Sequence, residues 1–236
     1  MFYRLSNTAE KFSIEESFDA KFVYPELYTK EVLINGFDER NLPIICMEDT
    51  ETIRFAIWGL LPQQYREGWK DFQNLSNTLN ISFKQIEELD WIEQLFSSQR
   101  CAIVVSGFFT SYLYKGESYP FYVYEKNNKP FALAGMFSQL DDGFLTVSLL
   151  TAKTSDRTIE SIHNLGKTFP VALHFEHYTD WLDDDLNFNS LNLDEFKRPD
   201  LKVHPISRKI YNEGHKSENV LKPKHYDNLP KLSVVW

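Results

Sequence analysis

Histidines are the residues of this chain whose spacing first suggests chemistry. His174 and His177 stand three positions apart, a spacing that can place two imidazoles on one metal ion. The segment follows a predicted strand rather than lying inside a long helix, and no further ligand cluster is evident, so we expect no metal. The acidic run 183–185 lacks the alternating ligands and the glycine of a calcium loop, and we interpret it as a solvated face.

Covalent catalysis has no local motif to support it. Cys46 and Cys101 form neither a disulfide framework nor a metal-type spacing, and we interpret both as small buried apolar residues. The chain contains no G-x-S-x-G elbow, P-loop or dinucleotide fingerprint. His163 lies at a predicted helix end, where a histidine is more often a structural hydrogen-bonding group than a catalyst.

The elements that would position such residues centre on residues 100–151. Four apolar, β-branched and aromatic runs are separated there by turn sequences, which predicts an antiparallel meander. Gly107, within the segment Ser106–Thr110, stands between large residues and indicates close backbone approach, a bulge or a pocket floor. We therefore expect the functional site near this glycine.

The flanking segments supply further elements. Ser82 and Gln85 have the spacing of a capping box, and apolar residues from Phe83 to Phe96 recur at helical spacing, which predicts one helix. Residues 63–79 are interpreted as a long loop with one short helix. We also predict strands at 32–37, 42–47, 53–62, 170–173 and 203–206, and helices at 156–165, beginning after Ser155, and 178–182.

Composition limits the class of protein. The 236 residues are 42% hydrophobic and 15% aromatic, which favours one α+β domain over residues 1–236, with a peripheral basic tail at 212–236. No apolar stretch reaches the length of a membrane span and no signal core is visible, so we expect a cytoplasmic protein. The net charge of −9 argues against broad attraction to nucleic-acid phosphates.

Several segments together resemble the SOS-response-associated peptidase (SRAP) family, which processes abasic sites in single-stranded DNA. The family sequence Met-Cys-Gly-Arg is similar to MFYR at 1–4, and Trp-Gly-Leu-Ile-Pro is similar to WGLLP at 58–62. Thr-Leu-Asn-Ala-Arg-x-Glu-Thr resembles TLNISFKQ at 78–85, and Arg-Arg-Cys-Leu-Ile-Pro-Ala-Asp-Gly-Phe-Tyr-Glu-Trp resembles QRCAIVVSGFFTS at 99–111. Segments 119–124, 131–135, 162–164 and 170–173 follow in the family's order.

The resemblance implies a barrel-like β core with peripheral helices and a cleft for single-stranded DNA. In the family, a cysteine at position 2 closes a thiazolidine ring on the abasic-site aldehyde, assisted by an asparagine, a glutamate and a histidine. The asparagine and histidine are retained as Asn80 and His163, and the implied DNA-binding positions are Arg4, Trp58 and Asn80.

The departures from the family pattern fall on its reactive groups. Phe2 replaces the cysteine, which removes the thiolate nucleophile, and Thr110 replaces the glutamate, which removes the proton-transferring carboxylate. Ser82 and Lys84 replace an arginine and an acidic residue. The large side chain of Phe2 also disfavours removal of Met1, whose α-amine would support at most a reversible imine.

Three functions remain open from the sequence. The first is a SRAP-family pseudoenzyme that has lost crosslinking and self-processing and retains at most non-covalent binding of single-stranded or abasic DNA. The second is DNA crosslinking or peptidase activity by a changed mechanism. The third is a structural or protein-binding role through an aromatic pocket formed by Phe2, Trp58, Phe108 and Phe109. No cofactor is expected in any of them.

Overall fold

The structure, a computed structural model, describes residues 2–154, 156–211, 217–230 and 232. Fourteen strands are present in the described residues: β1 Arg4–Asn7, β2 Lys21–Phe22, β3 Glu31–Asn35, β4 Asn41–Cys46, β5 Asp49–Trp58, β6 Asn80–Ser82, β7 Arg100–Val105, β8 Gly107–Tyr114, β9 Glu117–Glu125, β10 Phe131–Gln139, β11 Leu145–Ala152, β12 Phe169–Pro170, β13 Ala172–Leu173 and β14 Leu201–Pro205. Six α-helices accompany them: α1 Lys11–Phe18, α2 Trp69–Leu75, α3 Phe83–Glu88, α4 Asp90–Ser98, α5 Arg157–Ser161 and α6 Thr179–Leu182.

The strands form two sheets that share a core. One sheet has the order β14-β9-β8-β1-β3, and the other runs β12-β11-β10-β7-β4-β5-β2. β5 also pairs in parallel with β11, through Ile57 opposite Thr146 and Trp58 opposite Val147, so the second sheet closes into a ring. The predicted α+β fold, with a mainly antiparallel, barrel-like core and peripheral helices, is confirmed.

The predicted meander is wrong in its connectivity. Its first run divides at Ser106, so that β7 pairs with β4 and β10 whereas β8 pairs with β1 and β9. The chain can change sheets here because Gly107 has no side chain, and a Cβ at that position would lie 2.5 Å from Cε2 of Tyr122. The close backbone approach predicted for this glycine is confirmed.

The single helix predicted from Phe83 is wrong, although its beginning is correct. Ser82 and Gln85 form the predicted capping box. Leu89 is extended, with φ −124° and ψ 97°, and separates α3 from α4. At about 100° per residue, a continuous helix would place Ile86 and Ile92 roughly 120° apart. The break lets both isoleucines reach the core, where each is fully buried.

Other local predictions were less complete. Helix α1 was not predicted from the sequence, whereas the short helix predicted within 63–79 is present as α2. In place of the single strand expected at 170–173, the structure has two short strands with different partners. β12 pairs with β11, and β13 pairs with β10. The helix after Ser155 ends at Ser161, and Ser155 itself lies outside the described residues.

The described part of the C-terminal tail packs against the sheets. Tyr226 donates from its hydroxyl to the carbonyl of Ile206 over 2.7 Å, and Val220 is buried. Leu229 and Leu232 also contact the main core. Residues 212–216, where the predicted tail begins, lie outside the described residues. Within the described chain, no helix has the length and apolar character needed to span a bilayer.

Candidate active site

Phe2 is the centre of the candidate site, and its ring is buried. Only 2% of the residue is exposed. The ring centroid lies 5.8 Å from that of Phe108, 5.7 Å from that of Phe169 and 5.1 Å from that of His163. The phenyl group therefore fills the space beside His163 instead of leaving it open to a ligand.

Asn80 fixes the backbone of Phe2 by two hydrogen bonds. Its Nδ2 donates to the Phe2 carbonyl over 2.6 Å, and the Phe2 amide donates to Asn80 Oδ1 over 3.2 Å. Asn80 is placed there by β6, which runs parallel to β11 with Asn80 opposite Leu149. Both polar ends of the amide are thus used to hold the chain next to the buried ring.

Thr110 and His163 form a second buried pair. Thr110 lies on β8 and His163 follows α5, and the Thr110 Oγ1 is 2.8 Å from His163 Nδ1. Burial lowers the pKa of His163 to about 4, so the imidazole is neutral near pH 7. His163 Nε2 is buried without a hydrogen-bond partner among the described residues. The arrangement keeps a polar ring beside Phe2 with one nitrogen unsatisfied.

Arg4 lies at the rim of this site with its guanidinium stacked on aromatic rings. The guanidinium carbon is 4.6 Å from the Tyr3 ring centroid and 5.4 Å from that of Tyr211. No carboxylate forms an ion pair with Arg4 in the part of the chain that the structure describes. Among the described residues, the Arg4 guanidinium is thus held by aromatic rings and not by a carboxylate.

A small cavity separates Arg4 from the buried pair. It measures about 50 Å³, and its lining includes Arg4, Thr110, Ser111, His163 and Tyr211. A space of this size accommodates a few water molecules and not a nucleotide. The part of the site that remains open is thus a small recess lined by both polar and apolar side chains.

Trp58 does not lie at this surface. The residue has 0% exposure, and its indole N–H donates to the Leu79 carbonyl over 2.9 Å. Phe108 and Phe109 are also buried, as is Phe2. The four residues expected to form an aromatic pocket therefore offer no exposed aromatic surface, because each is at most 6% exposed. Trp58 likewise offers no ring surface on which a DNA base could stack.

Two residues of the site had no signal in the sequence. Phe169 packs against both Phe2 and His163, with its ring centroid 5.1 Å from that of His163. Tyr211, which follows β14, lies against the Arg4 guanidinium. Its hydroxyl forms hydrogen bonds with the hydroxyls of Ser111 and Ser118, each 2.8 Å away. Both come from segments far from residues 1–4 in sequence, so only the fold brings them together.

The cysteines offer no substitute nucleophile. Cys46 and Cys101 are register partners on β4 and β7, and both are buried and free. Burial raises the pKa of Cys46 to about 12 and that of Cys101 well above its ordinary value. The interpretation of both as buried apolar residues is confirmed.

Comparison with known proteins places these observations in a family. Residues 1–213 match the family described as SOS response associated peptidase (SRAP). Abasic site processing protein YMR114C of Saccharomyces cerevisiae is 22% identical over 241 residues, a match that covers 97% of this chain and 62% of the yeast protein. The chain thus spans less than two thirds of that relative's length.

Solved structures share the fold. A crystal structure of a Bacteroides thetaiotaomicron protein is 19% identical with a TM-score of 0.80, and the match covers 94% of this chain and 100% of that chain. One from Bordetella bronchiseptica is 16% identical with a TM-score of 0.68, covering 87% of this chain and 99% of that chain. With the family match extending over residues 1–213 of 236, this chain belongs to the SRAP family.

Proposed function

We propose that this chain is a SRAP-family pseudoenzyme of the DNA damage response that contacts single-stranded DNA without bonding to it covalently. The burial of the Phe2 ring against His163 and Phe169 is the observation that carries the proposal. Membership of the SRAP family, together with the relative described as an abasic site processing protein, supports the link to DNA damage.

The loss of covalent chemistry follows from the groups around Phe2. A phenyl ring is not a nucleophile, and neither buried cysteine is exposed to take its place. Thr110 supplies a hydroxyl where the family has a carboxylate, and a hydroxyl does not exchange protons efficiently near pH 7. The positions of Phe2 and Thr110 therefore provide neither the sulfur atom nor the proton-transfer group that formation of a thiazolidine ring requires.

The remaining contact with DNA is assigned to Arg4. Its guanidinium has no acidic partner among the described residues, and the flanking Tyr3 and Tyr211 rings fix its plane. A guanidinium in that arrangement suits a phosphate oxygen. Because the net charge is −9, the binding should be weak and should disappear as salt rises.

The changed-mechanism enzyme is a weaker candidate. Thr110 Oγ1 and His163 Nδ1, at 2.8 Å, have the geometry of a nucleophile and its base. However, a pKa of about 4 makes His163 a poor base near pH 7, and Phe2 occupies the space that a substrate would need. The pair is better explained as a buried hydrogen bond.

A protein-binding role is supported by a different region. A groove of about 680 Å³ lies between the end of β2 and the turn before β11, and its lining includes Tyr24, Leu27 and Phe144, which are exposed by 55%, 57% and 62%. Exposed apolar side chains that line one groove are typical of a protein interface. This role does not depend on the Phe2 site.

Incubation with abasic single-stranded DNA, followed by a denaturing gel, tests the covalent part of the proposal. We expect no crosslinked band from the natural sequence, and a band that survives denaturation without added reductant would contradict the proposal. A parallel sample treated with borohydride would trap any imine. The double substitution Phe2→Cys with Thr110→Glu restores the family's reactive groups, and we expect it to gain a crosslink.

Fluorescence anisotropy with labelled single-stranded DNA tests the non-covalent part. Binding should be measurable at low salt and should weaken roughly tenfold in Arg4→Ala, in line with loss of one phosphate contact. Lys126→Ala is the matched control, because Lys126 already pairs with Asp200 at 3.1 Å and lies away from the Phe2 site. Equal binding by both variants would remove Arg4 from the interface.

A further inference from the structure

The turn between β13 and α6 brings together three potential metal ligands. One donor atom each from His174, Glu176 and His177 lie within 4.8 Å of one another. His174 Nδ1 is 3.8 Å from Glu176 Oε2. The two histidines are visible in the sequence, but no metal was expected there because no third ligand cluster was evident.

We propose that His174, Glu176 and His177 form a surface site for a late first-row divalent cation such as Zn²⁺. Two imidazoles and one carboxylate are a ligand set that this class of ion prefers, with water in the remaining position. Donors about 2.0–2.1 Å from a tetrahedral ion lie about 3.3 Å apart. The three donor atoms, within 4.8 Å of one another, must therefore move closer together to bind one ion, and the Glu176 side chain, which is 59% exposed, has room to move.

The backbone of the turn holds the two imidazoles in place. The His177 amide donates to the His174 carbonyl over 2.9 Å, which closes the turn. The His174 amide donates to the Lys197 carbonyl over 3.0 Å and ties the turn to a distant segment. The His174 ring also stacks on Phe175, with ring centroids 4.5 Å apart. The turn is therefore fixed by backbone hydrogen bonds, and the His174 ring is held against Phe175.

A further carboxylate lies beside the two imidazoles. Asp180 Oδ2 lies 3.8 Å from His177 Nδ1 and can orient that ring or complete the coordination. Glu125 is not available, because it accepts hydrogen bonds from Asn127 and Lys129.

Lys197 competes with the proposed ion. Its Nζ is 3.2 Å from His177 Nε2, so in the metal-free protein the ammonium donates to that nitrogen. An incoming cation repels the ammonium, and the flexible lysine stem can swing toward solvent. Removing this positive charge should therefore strengthen metal binding, which is the opposite of what a purely structural role for Lys197 predicts.

Isothermal titration of the untagged full chain with ZnCl₂ tests the site. We expect one saturable site per chain, lost in His174→Ala and in His177→Ala. His225→Ala is the matched control: it removes one imidazole that also faces a carboxylate, Asp227 at 3.1 Å, and binding should persist. Circular dichroism checks that each variant is folded.

Lys197→Met provides a second, independent readout. Loss of one positive charge near a divalent ion should tighten binding by roughly tenfold. Absence of saturable zinc binding would overturn the proposal. So would binding that His174→Ala and His177→Ala leave unchanged, or a Lys197→Met variant that binds more weakly while it remains folded.

Discussion

Arg100 and His163 are both buried polar side chains, but they differ in how many of their polar atoms form hydrogen bonds. Arg100 is completely buried on β7, and its guanidinium donates to the carbonyls of Phe96, Trp181 and Asp183. His163 is 6% exposed, has one hydrogen bond to Thr110, and leaves Nε2 without a partner among the described residues.

The difference distinguishes a side chain whose hydrogen bonds join distant elements from one that is only partly satisfied beside Phe2. Arg100 joins the end of α4 to the segment at α6, and the Trp181 indole N–H donates to the Cys101 carbonyl beside it over 3.0 Å. An unsatisfied buried nitrogen costs stability, so it requires a different explanation. The rings of Phe2 and Phe169, which carry no polar group, pack on the His163 ring and leave this nitrogen without a partner among the described residues.

The largest effect is expected at Arg100. Arg100→Met leaves two buried carbonyls and one partly buried carbonyl without this donor, and we expect it to lower the free energy of unfolding by roughly 3–5 kcal/mol in urea denaturation. Arg54→Met is the control, because Arg54 pairs with Glu48 at the surface and should cost less than about 1 kcal/mol. An equal decrease in the free energy of unfolding of the two variants would contradict the view that Arg100 holds the fold together.

An intermediate effect is expected from the titration of His163. Its pKa is about 4 in the folded protein, below its ordinary value of 6.5, so the unfolded chain binds the proton first as pH falls. The neutral imidazole therefore contributes fully to the free energy of unfolding above pH 6.5, and this contribution is lost as the pH falls to 4. The loss is at most roughly 3 kcal/mol. Arg100 keeps its charge throughout this range.

Urea denaturation across that pH range in His163→Leu measures this effect. The variant should show a shallower loss of stability with falling pH than the natural sequence, although His174 and His204, whose pKa values burial also lowers, will still contribute. An unchanged slope in His163→Leu would mean that its neutral form is not favoured by folding.

The smallest effect is expected when both members of the His163 pair become apolar. Replacing both partners of a buried hydrogen bond can be nearly neutral, so His163→Leu with Thr110→Val should stay within about 1 kcal/mol of the natural sequence. His163→Leu alone should be less stable at pH 7, because Thr110 Oγ1 loses its partner. A large loss in the double variant would show that the pair stabilises the fold as Arg100 does.

Local sequence determined much of the fold. The capping box at Ser82 was predictable because it depends on two side chains three residues apart. Most strands followed from β-branched and aromatic runs, and the close approach at Gly107 followed from a glycine between large residues. The break at Leu89 was not predictable, because it arises from the core reached by Ile86 and Ile92 and not from a local stop signal.

The sequence determined which residues make up the site, but the tertiary structure decided which of them are buried and what they contact. The residues at positions 2, 80, 110 and 163 followed from the order of the family-like motifs. Only the folded chain brings Asn80 onto the Phe2 backbone and closes Phe108 and Phe169 over the ring, because these contacts join segments far apart in sequence. The burial of Trp58 and the convergence of Glu176 with two histidines depend on the same long-range packing, which no local pattern records.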